Sequence, residues 1–125
     1  MAKYILVVDD SLTIRSSVEY VLDQAGYKVA LASDGVEGIN KIKSISASGN
    51  EISMIITDIN MPNMDGITFT QKVKASPFRT TPILILTTET NDAKKQQGKA
   101  AGAAGWLVKP FQPEQLISVV EMLTN

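Results

Sequence analysis

The 125-residue sequence contains no cysteine and no histidine. The first absence excludes disulfides and thiolate chemistry. The second excludes a Ser-His-Asp triad, a His-ligated zinc and imidazole acid/base catalysis. Any chemistry falls to carboxylates, hydroxyls and lysines, or to a partner. An excess of charge is also lacking: twelve basic residues face thirteen acidic ones, for a net charge of −1. That balance leaves no electrostatic footprint for nucleic acid or an anionic membrane. Long apolar runs are missing too. The opening run, Tyr4 to Val8, ends in two aspartates and is too short for a signal peptide or a bilayer span. A cytoplasmic chain, away from membranes, is the expectation. With no linker, low-complexity tract or internal repeat, residues 1–125 read as one domain.

What is present is a repeated alternation. Short apolar runs recur at Tyr4–Val8, Lys28–Leu31, Ile52–Thr57, Ile83–Leu86 and Trp106–Val108. Several are crowded with Ile, Val and Leu, as in strands buried on both faces. Helical spacing fills the intervals. Ile14, Val18, Val21 and Ala25 form one stripe, with Gly26 as a left-handed stop. Ser33-Asp34 precedes Val36, Ile39 and Ile42, and Asp65 precedes Ile67 and Val73. Asn91 or Asp92 opens a fourth helix, weakened by Gly98, which costs about 1 kcal/mol relative to alanine. Pro113 opens a fifth, with Leu116, Val120 and Leu123 as its stripe. Strand followed by helix, five times over, predicts an α/β fold: a five-stranded parallel sheet between helices, with right-handed crossovers.

Ligands of such sheets bind beyond the carboxyl ends of the strands. There the sequence delivers Asp9-Asp10 after strand one, Asp58 after strand three, Thr87-Thr88 after strand four and Lys109-Pro110 after strand five. Strand two delivers only Ala32-Ser33, as an edge strand away from a site would. Three carboxylates at one edge repel each other, and a hard cation relieves the repulsion. Oxygen-only ligation by carboxylates, a carbonyl and waters suits Mg²⁺. A metal, the Lys109 ammonium, the Thr87 hydroxyl and a carboxylate nucleophile make a phosphoryl-transfer site, with Asp58 as the nucleophile. Each residue alone has a plainer reading. Asp9-Asp10 could cap the first helix, Asp58 could start an Asx-turn and Lys109 could be a solvated charge. Thr87 could serve β propensity, and Trp106 core packing. Their joint placement at strand ends favours the site.

The stretches "ILVVDDS" at 5–11, "DINMPNMDG" at 58–66, "ILILTTE" at 83–89 and "GWLVKPF" at 105–111 span the chain in order. With them the sequence resembles a response-regulator receiver domain, and among these the single-domain chemotaxis receivers. The resemblance implies a flavodoxin-like doubly wound (βα)5 fold with strand order 2-1-3-4-5. It implies that Asp58 is the phosphoacceptor and that Mg²⁺ is held by Asp10, Asp58 and the backbone carbonyl of Asn60, with Asp9 acting through water. Lys109 would contact a phosphoryl oxygen, and Thr87 and the aromatic at Trp106 would form the switch. The Lys109–Pro110 bond would be cis, against about 5% of X–Pro bonds generally. Two departures stand out. The switch position usually holds Tyr or Phe, and the bulk of Trp106 opposes full burial. The fourth helix carries Lys94, Lys95 and Lys99 with little apolar surface, which sets it apart from the face on which a flagellar motor switch docks.

The resulting expectation is a monomeric, phosphorylation-activated switch of a two-component pathway of the chemotaxis kind, not a turnover enzyme. A histidine kinase would donate the phosphoryl group. Because the sequence ends with the fifth helix, output would be protein contact, or the molecule would act as a phosphate sink. A haloacid-dehalogenase-like phosphatase would need D-x-D, and "DIN" lacks the second aspartate. A flavodoxin-like cofactor carrier would need a Ser/Thr-rich phosphate loop after strand one, where paired acids stand instead.

Overall fold

The first strand, β1 (Lys3–Val8), turns Ile5 and Val7 to one face of a sheet and Leu6 and Val8 to the other, and all four are buried. Period-two alternation with both sets apolar requires cover on both faces. The computed structural model describes residues 2–124, so Met1 and Asn125, the ends of the expected 1–125 domain, lie outside the described residues. After β1 come α1 (Leu12–Gln24), β2 (Lys28–Ala32), α2 (Gly35–Ala47), β3 (Glu51–Thr57) and α3 (Gly66–Lys74). Then follow β4 (Ile83–Thr87), α4 (Asp92–Ala101), β5 (Gly105–Val108) and α5 (Pro113–Thr124). All strand pairs are parallel, in the order β2-β1-β3-β4-β5.

Two layers close the sheet. Ile5, Val7, Met54, Ile56, Leu84 and Leu86 pack against Val18 and Leu22 of α1 and Leu116 and Val120 of α5. On the other face Leu6, Val8, Ile55 and Ile83 meet Ile42 of α2 and Phe69 and Val73 of α3. Burying each such Ile or Leu contributes about 1.5–3 kcal/mol. A smaller cluster joins Ile59 after β3, Ile67 of α3, Ile85 of β4 and Ala101 of α4, with Trp106 packed against it.

Helix ends follow local chemistry, with two differences from the sequence reading. The cap of α1 is Ser11, whose hydroxyl accepts the Ile14 N–H at 3.3 Å, so Asp9 and Asp10 are released from capping. The buried stripe of α1 runs through Val18 and Leu22, while Ala25 is the exposed C-cap ahead of Gly26 at φ +92. Leu22 lies four residues after Val18 and so shares its face. Asp34, Asp65 and Asn91 cap α2, α3 and α4, each accepting the N–H three residues on.

Candidate functional site

Strand order reverses at β1, because the chain adds β2 on one side of it and β3 on the other. The residues leaving β1 and β3 are therefore neighbours at the carboxyl edge. The Asp58 N–H donates to the Val8 carbonyl at 3.0 Å, which brings Asp58 beside the start of the Asp9-Asp10 segment. One carboxylate oxygen from each of Asp9, Asp10 and Asp58 lies within 4.8 Å of the others. Asp9 is 3% exposed and Asp58 9%, whereas Asp10 is exposed.

Lysine from the far side of the sheet completes the cluster. The Lys109 ammonium lies 2.8 Å from Asp9 Oδ2 and 3.1 Å from Asp58 Oδ2. Its backbone is fixed by an N–H donated to the Thr87 carbonyl at 2.8 Å, and the Lys109–Pro110 bond is cis. The second oxygen of each buried acid accepts a backbone donor: Asp9 Oδ1 from Ser11 N–H at 2.9 Å, Asp58 Oδ1 from Ile59 N–H at 2.7 Å. Such charge-assisted bonds hold both carboxylates in one orientation. Three carboxylates against the Lys109 ammonium leave the cluster net negative, even with the Arg15 guanidinium against the Asp9 carbonyl. A divalent cation with oxygen preference matches that donor set and that charge.

The remaining expected site residues are less engaged. Thr87 is fully buried, and its hydroxyl accepts the Glu89 N–H at 3.2 Å rather than meeting Asp58 or Lys109. Asn60 is exposed in the loop after β3. Trp106 is half-buried beside Ile85. Two contributors escaped the sequence reading. Arg15 reaches back from α1, its Nη1 donating to the Asp9 carbonyl at 2.6 Å. Gly66 donates its N–H to the Ile59 carbonyl at 2.8 Å, and so ties the start of α3 to the segment after Asp58. The Asp65-Gly66 pair was its only sequence signal.

Burial alone would lower the Lys109 ammonium. The hydrogen bond to Asp9 and the charges of Asp58 and Asp9 outweigh it and hold the group above its ordinary value near 10.5. A cation whose folded value is raised stabilises fully below its unfolded value, and that contribution fades as pH climbs through the folded one. Lys109→Met is therefore expected to be less stable than wild type at neutral pH, with the gap narrowing above pH 10.5. Denaturant unfolding at a series of alkaline pH values measures this. A gap constant across that range would show that the Lys109 charge contributes nothing.

The family model for the response regulator receiver domain matches residues 5–121. Chemotaxis protein CheY1 of Helicobacter pylori is 36% identical over 121 residues, covering 95% of this chain and 94% of that protein. Among solved structures, chemotaxis protein CheY4 of Vibrio cholerae is 45% identical, with a TM-score of 0.88 over 98% of this chain and 99% of that one. The receiver domain of sensor histidine kinase PA1611 from Pseudomonas aeruginosa PAO1 is 26% identical, with a TM-score of 0.85 over 99% and 98% of the two chains. That structure has a magnesium ion coordinated in its active site cleft.

Proposed function

This chain belongs to the response regulator receiver domain family, and on that premise we propose that it is a phosphorylation-activated signalling switch with Asp58 as its phosphoacceptor. The observation that carries the reading is Lys109 spanning Asp9 and Asp58 at the strand-order reversal, with Asp10 alongside. A carboxylate oxygen of Asp58 attacks the phosphorus of a phosphohistidine on a partner kinase. The new O–P bond forms as the P–N bond breaks, and the imidazole leaves with the bonding electron pair. Asp58, fixed by Val8 O and Ile59 N–H, has little orientational freedom to lose on the way. Lys109 is positioned to pass from Asp58 to a phosphoryl oxygen while keeping its hold on Asp9. Asp9, Asp10, Asp58 and the Asn60 carbonyl would hold Mg²⁺, which when bound supplies neutralisation of the phosphoryl oxygens.

The same reading makes the molecule a single receiver domain whose output is contact with another protein, in a two-component pathway of the chemotaxis type suggested by its resemblance to CheY1 and CheY4. Thr87 and Trp106 would relay phosphorylation to that contact surface, in a cytoplasmic, monomeric protein that turns over no external substrate. Among the described residues no helix is long and apolar enough to cross a membrane.

Incubation with acetyl phosphate and Mg²⁺ is expected to add one phosphoryl group per chain. Asp10→Ala should suppress that labelling and also remove the thermal stabilisation that Mg²⁺ gives wild type. A ligand binding only the folded state at ten times its dissociation constant contributes about 1.4 kcal/mol. Undiminished stabilisation in the variant would overturn the metal assignment, and wild type left unlabelled would overturn the switch.

A further inference from the structure

Helix α4 buries only Gly98 and Ala101, and it places a glycine in its interior, where alanine would favour the helix. The reason lies beneath it. A Cβ built on Gly98 would come 2.8 Å from Ile85 Cδ1, 3.1 Å from Trp106 Cζ3 and 3.4 Å from Trp106 Cε3. The six-membered edge of the indole thus lies under α4, beside β4. Ile85, next to Trp106 in the strand register, forms the side wall of this slot, and the bare backbone of Gly98 roofs Ile85 Cδ1 and the ring edge alike. A phenol ring lacks the second ring that fills this space. On the outer side the indole borders an open cleft of about 270 Å³ lined by Lys95, Gln96 and Lys99. The ring therefore has somewhere to go when the slot is narrowed.

We propose that Gly98 is the positioning residue for Trp106: its missing side chain admits a tryptophan where a smaller aromatic would need no such gap, and it sets the inward share of the indole. Thr87 stands two residues beyond Ile85 on β4 and so points to the same face. The slot thereby adjoins the residue that is to respond to phosphorylation, and this linkage rests on the switch function proposed above. Adding a methyl at residue 98 crowds Ile85 in either state but Trp106 only in the inward one, so it shifts the balance outward.

The test compares wild type, Gly98→Ala, Trp106→Tyr and the double variant as full chains. Trp106 is the only tryptophan, so acrylamide quenching of intrinsic fluorescence reports it directly. Gly98→Ala is expected to raise the quenching constant about twofold without any phosphoryl mimic. It should also lower the melting temperature by roughly 4 °C when Trp106 is present, and leave it equal or higher when added to Trp106→Tyr. That reversal of sign is a signature that a general packing defect would not give. Unchanged quenching, with the same melting shift in both backgrounds, would overturn the proposal. If Gly98→Ala does not fold, a folded double variant supports the pairing, and an unfolded one overturns it by placing the conflict at Ile85.

A separate arm adds Mg²⁺ with beryllofluoride to wild type. Protection of Trp106 there, and not with Mg²⁺ alone, supports the coupled switch. Equal quenching in the two conditions removes the switch, while the slot is still judged on the comparison without the mimic.

Discussion

Asp58→Asn is expected to lose stable labelling by acetyl phosphate and Mg²⁺ completely, while remaining folded. The amide has nearly the shape of the carboxylate, and its oxygen can still accept the Ile59 N–H that Asp58 Oδ1 accepts at 2.7 Å. Lys109 keeps its 2.8 Å partner in Asp9, so no buried ammonium is left alone. Removing one of three crowded carboxylates also relieves repulsion within the cluster. What disappears is the anionic oxygen that, in the proposed role, forms the bond to phosphorus, for which a neutral amide is no substitute. Intact-mass measurement over time, beside a thermal melt, separates lost chemistry from lost folding. Labelling of the variant at the wild-type rate and extent would assign the phosphoryl group to another residue.

Gly66→Ala is expected to destabilise the fold by about 3 kcal/mol or more, at or beyond the upper end of ordinary overpacking. A Cβ on Gly66 would run into the carbonyl oxygen of Asp58, and would lie 2.8 Å from its carbonyl carbon and 2.9 Å from Ile59 Cα. These are backbone atoms, which cannot rotate away as a side-chain tip can. The same glycine donates its N–H to the Ile59 carbonyl and receives the buried Thr70 hydroxyl at 2.8 Å on its own carbonyl. Relief therefore requires α3 to move away from the segment after β3, with loss of the Gly66–Ile59 bond and displacement of Asp58. Urea unfolding should show a markedly lower midpoint, and the remaining folded protein should label slowly. An unchanged midpoint would mean that α3 shifts freely and that Gly66 places no constraint on Asp58.

Both outcomes depend on residues of unequal legibility. Asp58 stands out because it interrupts a buried apolar strand, and the pattern Met54–Thr57 announces that strand without any knowledge of its neighbours. Gly66 reads only as a turn residue until α3 is seen folded back on the Asp58 carbonyl. Gly98 misleads outright: by propensity it weakens a helix, yet a side chain there would crowd both Ile85 and Trp106.

Strands, helices and caps were determined by the sequence itself, because they depend on residues within a few positions of one another. Period two in β1, the Asp65 carboxylate accepting the Thr68 N–H, and Pro113 opening α5 are all local physics. The set of residues delivered to strand ends follows from the same alternation. The strand order was not dictated by these residues; it came from resemblance to a family, since any of several orders buries five apolar strands equally well. Only the tertiary structure decided which acids are shielded. Asp9 and Asp10 are adjacent and chemically identical, yet one is buried against Lys109 and the other faces solvent. Lys109 meets Asp9 across 100 residues of chain and Asp58 across 51. No local pattern encodes such a meeting, because it exists only where β5, β3 and β1 end at the same edge.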